Sequence, residues 1–156
     1  MYERFLILKK EVNYMSFEKI SNENKFSNDS RACIILVNFD KKELSLVKNV
    51  SRFAGIKDNI IVNGKHGENT IKDILSGDIE ENSEKVLSNK AIIFNNMPTQ
   101  RVNGFLDNIK KMRMRRPLTA MVTETSINWT LNNLIANLIE ENTALSSGKQ
   151  FEHHED

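Results

Sequence analysis

The sequence predicts an α/β fold: a small three-layer domain with a four-stranded, mainly parallel sheet of order 2-1-3-4 flanked by helices, made from two pseudo-repeated strand-helix-strand-helix units. Three observations predict it. First, residues 32–75 read as apolar strand, amphipathic helix, apolar strand and helix, and residues 91–139 repeat that order. A shift of about 58 positions lays Ile34-Ile35-Leu36-Val37-Asn38-Phe39 over Ile92-Ile93-Phe94-Asn95-Asn96-Met97, and Leu44 and Val47 over Val102 and Phe105. Second, the strands are short and wholly apolar, the pattern of burial on both faces that parallel pairing brings. Third, a helix lies between successive strands of each unit, which calls for right-handed crossovers. A pseudo-two-fold axis between the first strands of the units yields the order 2-1-3-4. The alternative is a ferredoxin-like α+β arrangement with the middle helix incidental.

The elements follow in order. Ala32 to Val37 is the first strand, and Asp40 with Glu43 forms the reciprocal pair that satisfies free amides at a helix start. The helix from Lys41 to Ala54 carries Leu46, Val47, Val50, Phe53 and Ala54 as its buried stripe, and Gly55 suits the left-handed turn after it. Ile60-Ile61-Val62 is a short buried strand and Asn63-Gly64 a turn, after which Thr70 with Asp73 opens a brief helix through Leu75. Residues 77–89 form a solvated acidic connection that Val86 and Leu87 pin to the core. In the second unit Ala91 to Asn95 is a strand and Pro98 stands in the first helical turn, where its missing N–H has no partner. Val102, Phe105, Leu106, Ile109 and Met112 make the next stripe. Pro117 stops that helix, Leu118 to Val122 is the last strand, Thr123 to Asn128 a turn, and Trp129 to Glu141 a helix with Leu131, Leu134, Ile135 and Leu138 facing inward.

One domain is therefore expected over residues 31–145, with units at 32–76 and 90–142. A mobile arm or linker is expected over residues 1–30 and a disordered tail over 146–156. Met15 is an alternative start, which would make Met1 to Tyr14 an extension. Lys and Arg number 22 against 21 Asp and Glu, so net charge (+1) names no partner. One cysteine, Cys33, excludes an intrachain disulfide and reads as buried packing. The opening Phe5-Leu6-Ile7-Leu8 is too short for a signal core or a membrane span, and the expected location is the cytoplasm.

The second unit carries Ala91-Ile92-Ile93-Phe94-Asn95, then Arg116-Pro117-Leu118 and Ala120-Met121-Val122-Thr123 around the last strand, and above all Asn128-Trp129-Thr130-Leu131. In these features residues Lys90 to Asn142 resemble a family of small, mostly clostridial and other anaerobe proteins, domain of unknown function 3783 (DUF3783). The resemblance implies a fold and a bacterial source. It carries no activity, so no catalytic residue transfers.

Two sites stand out. In open parallel sheets ligands bind beyond the carboxyl ends of strands where strand order reverses. Order 2-1-3-4 puts that point between the first and third strands, at Asn38, Asp40, Asn95 and Asn96, beside two helix starts that suit a carboxylate, phosphate or amide. The plainer reading is that Asn38 and Asn96 cap their helices. The second site is Lys110, Lys111, Arg113, Arg115 and Arg116, an acid-free run able to bind the phosphates of a nucleic acid. Its plainer reading is a solvated helix C-terminus.

The loop from Asn63 to Thr70 has glycines, Lys65 and His66, yet lacks the spacing of a phosphate loop. His153 and His154 lie in an acidic tail without a metal-ligand pattern, and Trp129 suits a lid on the core better than a partner's anchor. A phosphate-accepting receiver domain needs an aspartate where Asn95-Asn96 stand, and a fifth strand. No nucleophile, base or metal set converges, so the expected function is a non-catalytic binding or regulatory module with no metal or cofactor. Its partner would be a protein or a small anionic ligand. Nucleic-acid association is the second reading and an enzyme with an unrecognised site the third.

Overall fold

The structure is a computed structural model; it describes residues 31–84 and 87–154, with side chains described through residue 144. The readings on residues 1–30 and on Val86 lie outside the described residues. The chain runs β1 (Cys33–Val37), α1 (Lys41–Phe53), β2 (Asn59–Val62), α2 (Ile71–Ser76), β3 (Ala91–Asn95), α3 (Thr99–Lys110), β4 (Leu118–Met121) and α4 (Leu131–His154), with 3-10 turns at Gly64–His66 and Ser126–Asn128. Local chemistry explains the boundaries. Asp40 accepts from the Glu43 amide and Glu43 accepts from the Asp40 amide, closing the capping box of α1. Thr70 caps α2 by accepting from the Asp73 amide, and Gly55 (φ +80°) and Gly77 (φ +86°) take the left-handed turns that end α1 and α2.

The four strands form one sheet of order β2-β1-β3-β4. Strands β1 and β2 pair in parallel, as do β3 and β4, while the central pair β1–β3 is antiparallel, with Ile35 opposite Ile93. That register restates the repeat: the 58-residue offset also relates Ile35 to Ile93, so the pseudo-two-fold axis passes between them, perpendicular to the sheet. The axis continues through the layer beyond. There Thr70 bridges Thr130, the Ile71 amide donates to the Trp129 carbonyl at 2.9 Å, and the Leu131 amide donates to the Asn69 carbonyl at 2.9 Å.

Alternation of side chains along the strands splits the core into two layers. Ile34, Leu36, Ile92 and Phe94 pack under α1 and α3, with Val47, Val50, Val102, Phe105 and Ile109. Phe94 meets Phe105 edge-on, 5.6 Å between centroids, and burial of each ring contributes roughly 2–3 kcal/mol. Ile35, Val37, Ala91 and Ile93 pack on the other side with Ile71, Ile74, Leu131, Leu134 and Ile135.

Several expectations need correction. Of the stripe on α1, Leu46 is 37% exposed and Phe53 89% exposed; Ser51 is buried instead, its hydroxyl donating to the Ile56 carbonyl at 2.6 Å. A hydroxyl satisfied in this way can occupy a core position that apolar periodicity alone would deny it. Ile61 is 45% exposed on β2, an edge strand of the sheet. The last helix, α4, has its end at His154. No helix among the described residues is long and apolar enough to cross a membrane.

Candidate functional site

The antiparallel central pair decides the fate of the asparagine site. Because β1 and β3 run in opposite directions, their carboxyl ends lie at opposite edges of the sheet. In the observed register Asn38 and Asn96 are six strand positions apart, roughly 20 Å at strand rise. Asn38 and Asp40 therefore share one edge, and Asn95 and Asn96 the other; no single crevice contains both sets. The expected crevice assumed a parallel centre, whereas a two-fold axis normal to the sheet reverses the second unit.

What the two asparagines share is a backbone state. Asn38 has φ +65° and Asn96 φ +54°, the left-handed conformation that a strand adopts to turn into its helix and that Asn tolerates better than other side-chain-bearing residues. Asn38 adds a latch: its Nδ2 donates to the carbonyls of Leu87 (2.8 Å) and Asn89 (2.9 Å), and its Oδ1 accepts from the Gly64 amide (3.1 Å). This binds the connection before β3 to the end of β1. Leu87 also packs on the core, as the sequence suggested. Asp40 is occupied as the cap of α1, and neither asparagine is the helix cap, which corrects the plainer reading. Asn95 is fully buried, paired with Cys33, and its Nδ2 donates to the Arg31 carbonyl at 2.9 Å.

The loop from Asn63 to Asn69 has its amides spoken for. Asn63 N–H donates to His66 Nδ1 (3.0 Å), Gly64 to Asn38 Oδ1, Lys65 to Asn63 Oδ1 (2.8 Å), Glu68 to Asn82 Oδ1 (3.1 Å), and the amides of His66, Gly67 and Asn69 to carbonyls within the loop. An anion cradle needs free amides, and this loop presents none. His66 serves the turn through its Nδ1.

Sequence reasoning overlooked the centre of this region, Asn69. It is 5% exposed, donates to the carbonyls of His66 (2.9 Å) and Glu80 (2.7 Å), and accepts from the Glu80 amide (3.1 Å). Asn132 clamps it from α4: its amide donates to the Gly67 carbonyl at 2.8 Å and its Nδ2 to Glu68 Oε2 at 3.0 Å. The available signal was the 60-residue offset relating Asn69-Thr70-Ile71 to Trp129-Thr130-Leu131, which marks both as joints between the halves. Thr130 accepts from the Asn133 amide (3.1 Å) as the cap of α4, and Trp129 packs half-buried on the core, while Asn128 ends the 3-10 turn.

At the far end of β1, Arg31 Nε and Nη2 grip Asp58 Oδ2 and Oδ1 at 2.8 and 2.9 Å. The hydrogen bond from Arg31 holds the Asp58 carboxyl below the ordinary range against the opposing effect of desolvation. Beside them burial pushes the Cys33 thiol up to about 11, so it stays protonated and unreactive near neutrality.

The cationic run is brought together as a turn. Lys110 ends α3, Arg113 takes φ +56°, and the chain reverses into β4 after Pro117. Lys110, Lys111, Arg113, Arg115 and Arg116 are all exposed, and among the described residues none is in an ion pair. A shallow groove beside the turn is lined by Asn103, Leu106, Asp107, Lys110, Arg116 and Thr119, so one carboxylate lies near the cations. At the 58-residue offset the first unit has Asp58 where Arg116 stands, and Asp58 is paired with Arg31 at 2.8 Å.

No curated protein and no solved structure matches the chain. Residues 90–145, which hold β3, α3, β4 and the first part of α4, match the model of the family described as Domain of unknown function (DUF3783).

Proposed function

We propose that the protein is a non-catalytic, cytoplasmic binding module that holds a phosphate-bearing polymer, a nucleic acid, on the turn from Lys110 to Arg116. The observation that carries this reading is the exposure of five cations within seven residues, none in an ion pair among the described residues. Exposed unpaired cations release the counterions of a phosphate chain on binding, and arginine adds bidentate contacts. The asparagine edges support a ligand less well. Asn38 and Asp40 are engaged by the chain itself, and the two edges stand on opposite sides of the sheet.

Affinity for a labelled oligonucleotide should fall by about two to three orders of magnitude between 50 and 200 mM salt if four or five phosphates are contacted. Replacing Lys111, Arg113 and Arg115 together with alanine should abolish most of the binding and reduce the salt slope by about 2.7. Absence of any binding at low salt, or binding that survives this triple replacement, refutes the assignment.

A further inference from the structure

The outer edge of β4 is unpaired by any other described segment, and it is built to receive its own copy. The Leu118 amide donates to the Lys90 carbonyl and the Val122 amide to the Phe94 carbonyl, so even-numbered residues of β4 face β3. The N–H and C=O groups of Thr119 and Met121 consequently point outward. Exposed edges are commonly blunted by a charge, a proline or a bulge. Leu118 to Met121 has none of these, and it is half-buried throughout. The charges stand at its two ends instead, Arg115 and Arg116 before it and Glu124 after it, all exposed.

We infer that β4 pairs antiparallel with β4 of a second copy, centred on Ala120, extending the sheet to eight strands. In this register Thr119 faces Met121 of the other copy, and the two such pairs exchange four backbone hydrogen bonds. Antiparallel pairing also brings the Arg116 end of each β4 beside the Glu124 end of the other. Shifting the register by one residue in either direction makes the outward amides meet residues already bonded to β3. The two-fold axis lies perpendicular to the sheet, the same operator that relates Ile35 to Ile93 inside the chain. It therefore aligns α3 beside α3 of the copy, across a groove whose Asp107 and Lys110 offer opposite charges to an antiparallel neighbour. The inference does not need the nucleic-acid reading: Lys110 and Arg116 join the interface, and Lys111, Arg113 and Arg115 remain on the turn.

Sedimentation velocity of the full chain across a concentration series to about 100 μM tests it. The expected species is twice the 18.0 kDa chain mass. R116E should raise the dimer dissociation constant at least about tenfold by setting like charges opposite each other, and R116E/E124R should restore it. Both positions are exposed, and retained circular dichroism checks the fold of each variant. A monomer at every concentration, a dimer indifferent to R116E, or a double swap that fails to recover the dimer each overturns the pairing.

Discussion

Replacing Asn38 separates two effects that the structure combines at one residue. Asn38→Ala removes three hydrogen bonds, to the carbonyls of Leu87 and Asn89 and from the Gly64 amide, and it also places alanine at φ +65°. At about 0.5–1 kcal/mol for each partly exposed bond, the latch is worth roughly 1.5–3 kcal/mol. The left-handed backbone adds about 1 kcal/mol for alanine, which lacks the local hydrogen bonding that lets asparagine visit it. The sum is about 3 kcal/mol, a fall of roughly 10 °C in melting temperature for a domain of this size. Asn38→Gly loses the same bonds without the strain, and it should cost about 1 kcal/mol less than Asn38→Ala. Urea unfolding of the two variants and the parent, followed by circular dichroism at constant m-value, measures both differences. If Asn38→Gly is as stable as the parent, the latch contributes nothing and the reasoning fails; if the two variants coincide, the backbone component is absent.

Two further predictions concern the joints around the sheet. A Cβ at Gly67 would run into the Asn132 side chain, so Gly67→Ala should destabilise by about 1–3 kcal/mol, yet cost nothing in an Asn132→Ala background. An equal cost in both backgrounds would show that the clash is not the cause. Asp58 has its folded pKa depressed, chiefly by the Arg31 hydrogen bond, so its contribution is present above the unfolded value near 3.9 and disappears as pH falls through the folded value. Both side chains are more than a third exposed, which limits the pair to less than about 1 kcal/mol. Asp58→Asn should thus weaken the protein slightly at pH 7 and leave it unchanged near pH 2; a difference that persists at pH 2 excludes the pairing as its source.

Much of the architecture was legible because each element carried its own local chemistry. Asp40 with Glu43, Thr70 with Asp73, Gly55 and Pro117 mark boundaries through interactions spanning a few residues, and these fall where the sequence indicated. The errors were of another kind. Leu46, Phe53 and Ile61 have the periodicity of buried residues, but their exposure depends on which neighbour covers them. Ser51, Asn69 and Asn95 are polar and buried because partners distant in sequence or across a turn satisfy them. Hydropathy records neither circumstance.

The sequence by itself determined that the chain consists of two strand-helix-strand-helix units, that the first strand of each lies at the centre of a 2-1-3-4 sheet, and that Asn38 and Asn96 are counterparts. Periodicity, capping and the repeat offset are properties of short windows, and they are legible wherever the windows are compared. Only the tertiary structure decided the direction of the central pair. The same apolar run can pair in either sense, and the choice is made by the two-fold packing that bridges Thr70 to Thr130 on one face of the sheet and sets α1 beside α3 on the other. That choice turned two matching asparagines from walls of one crevice into equivalent turns at opposite edges.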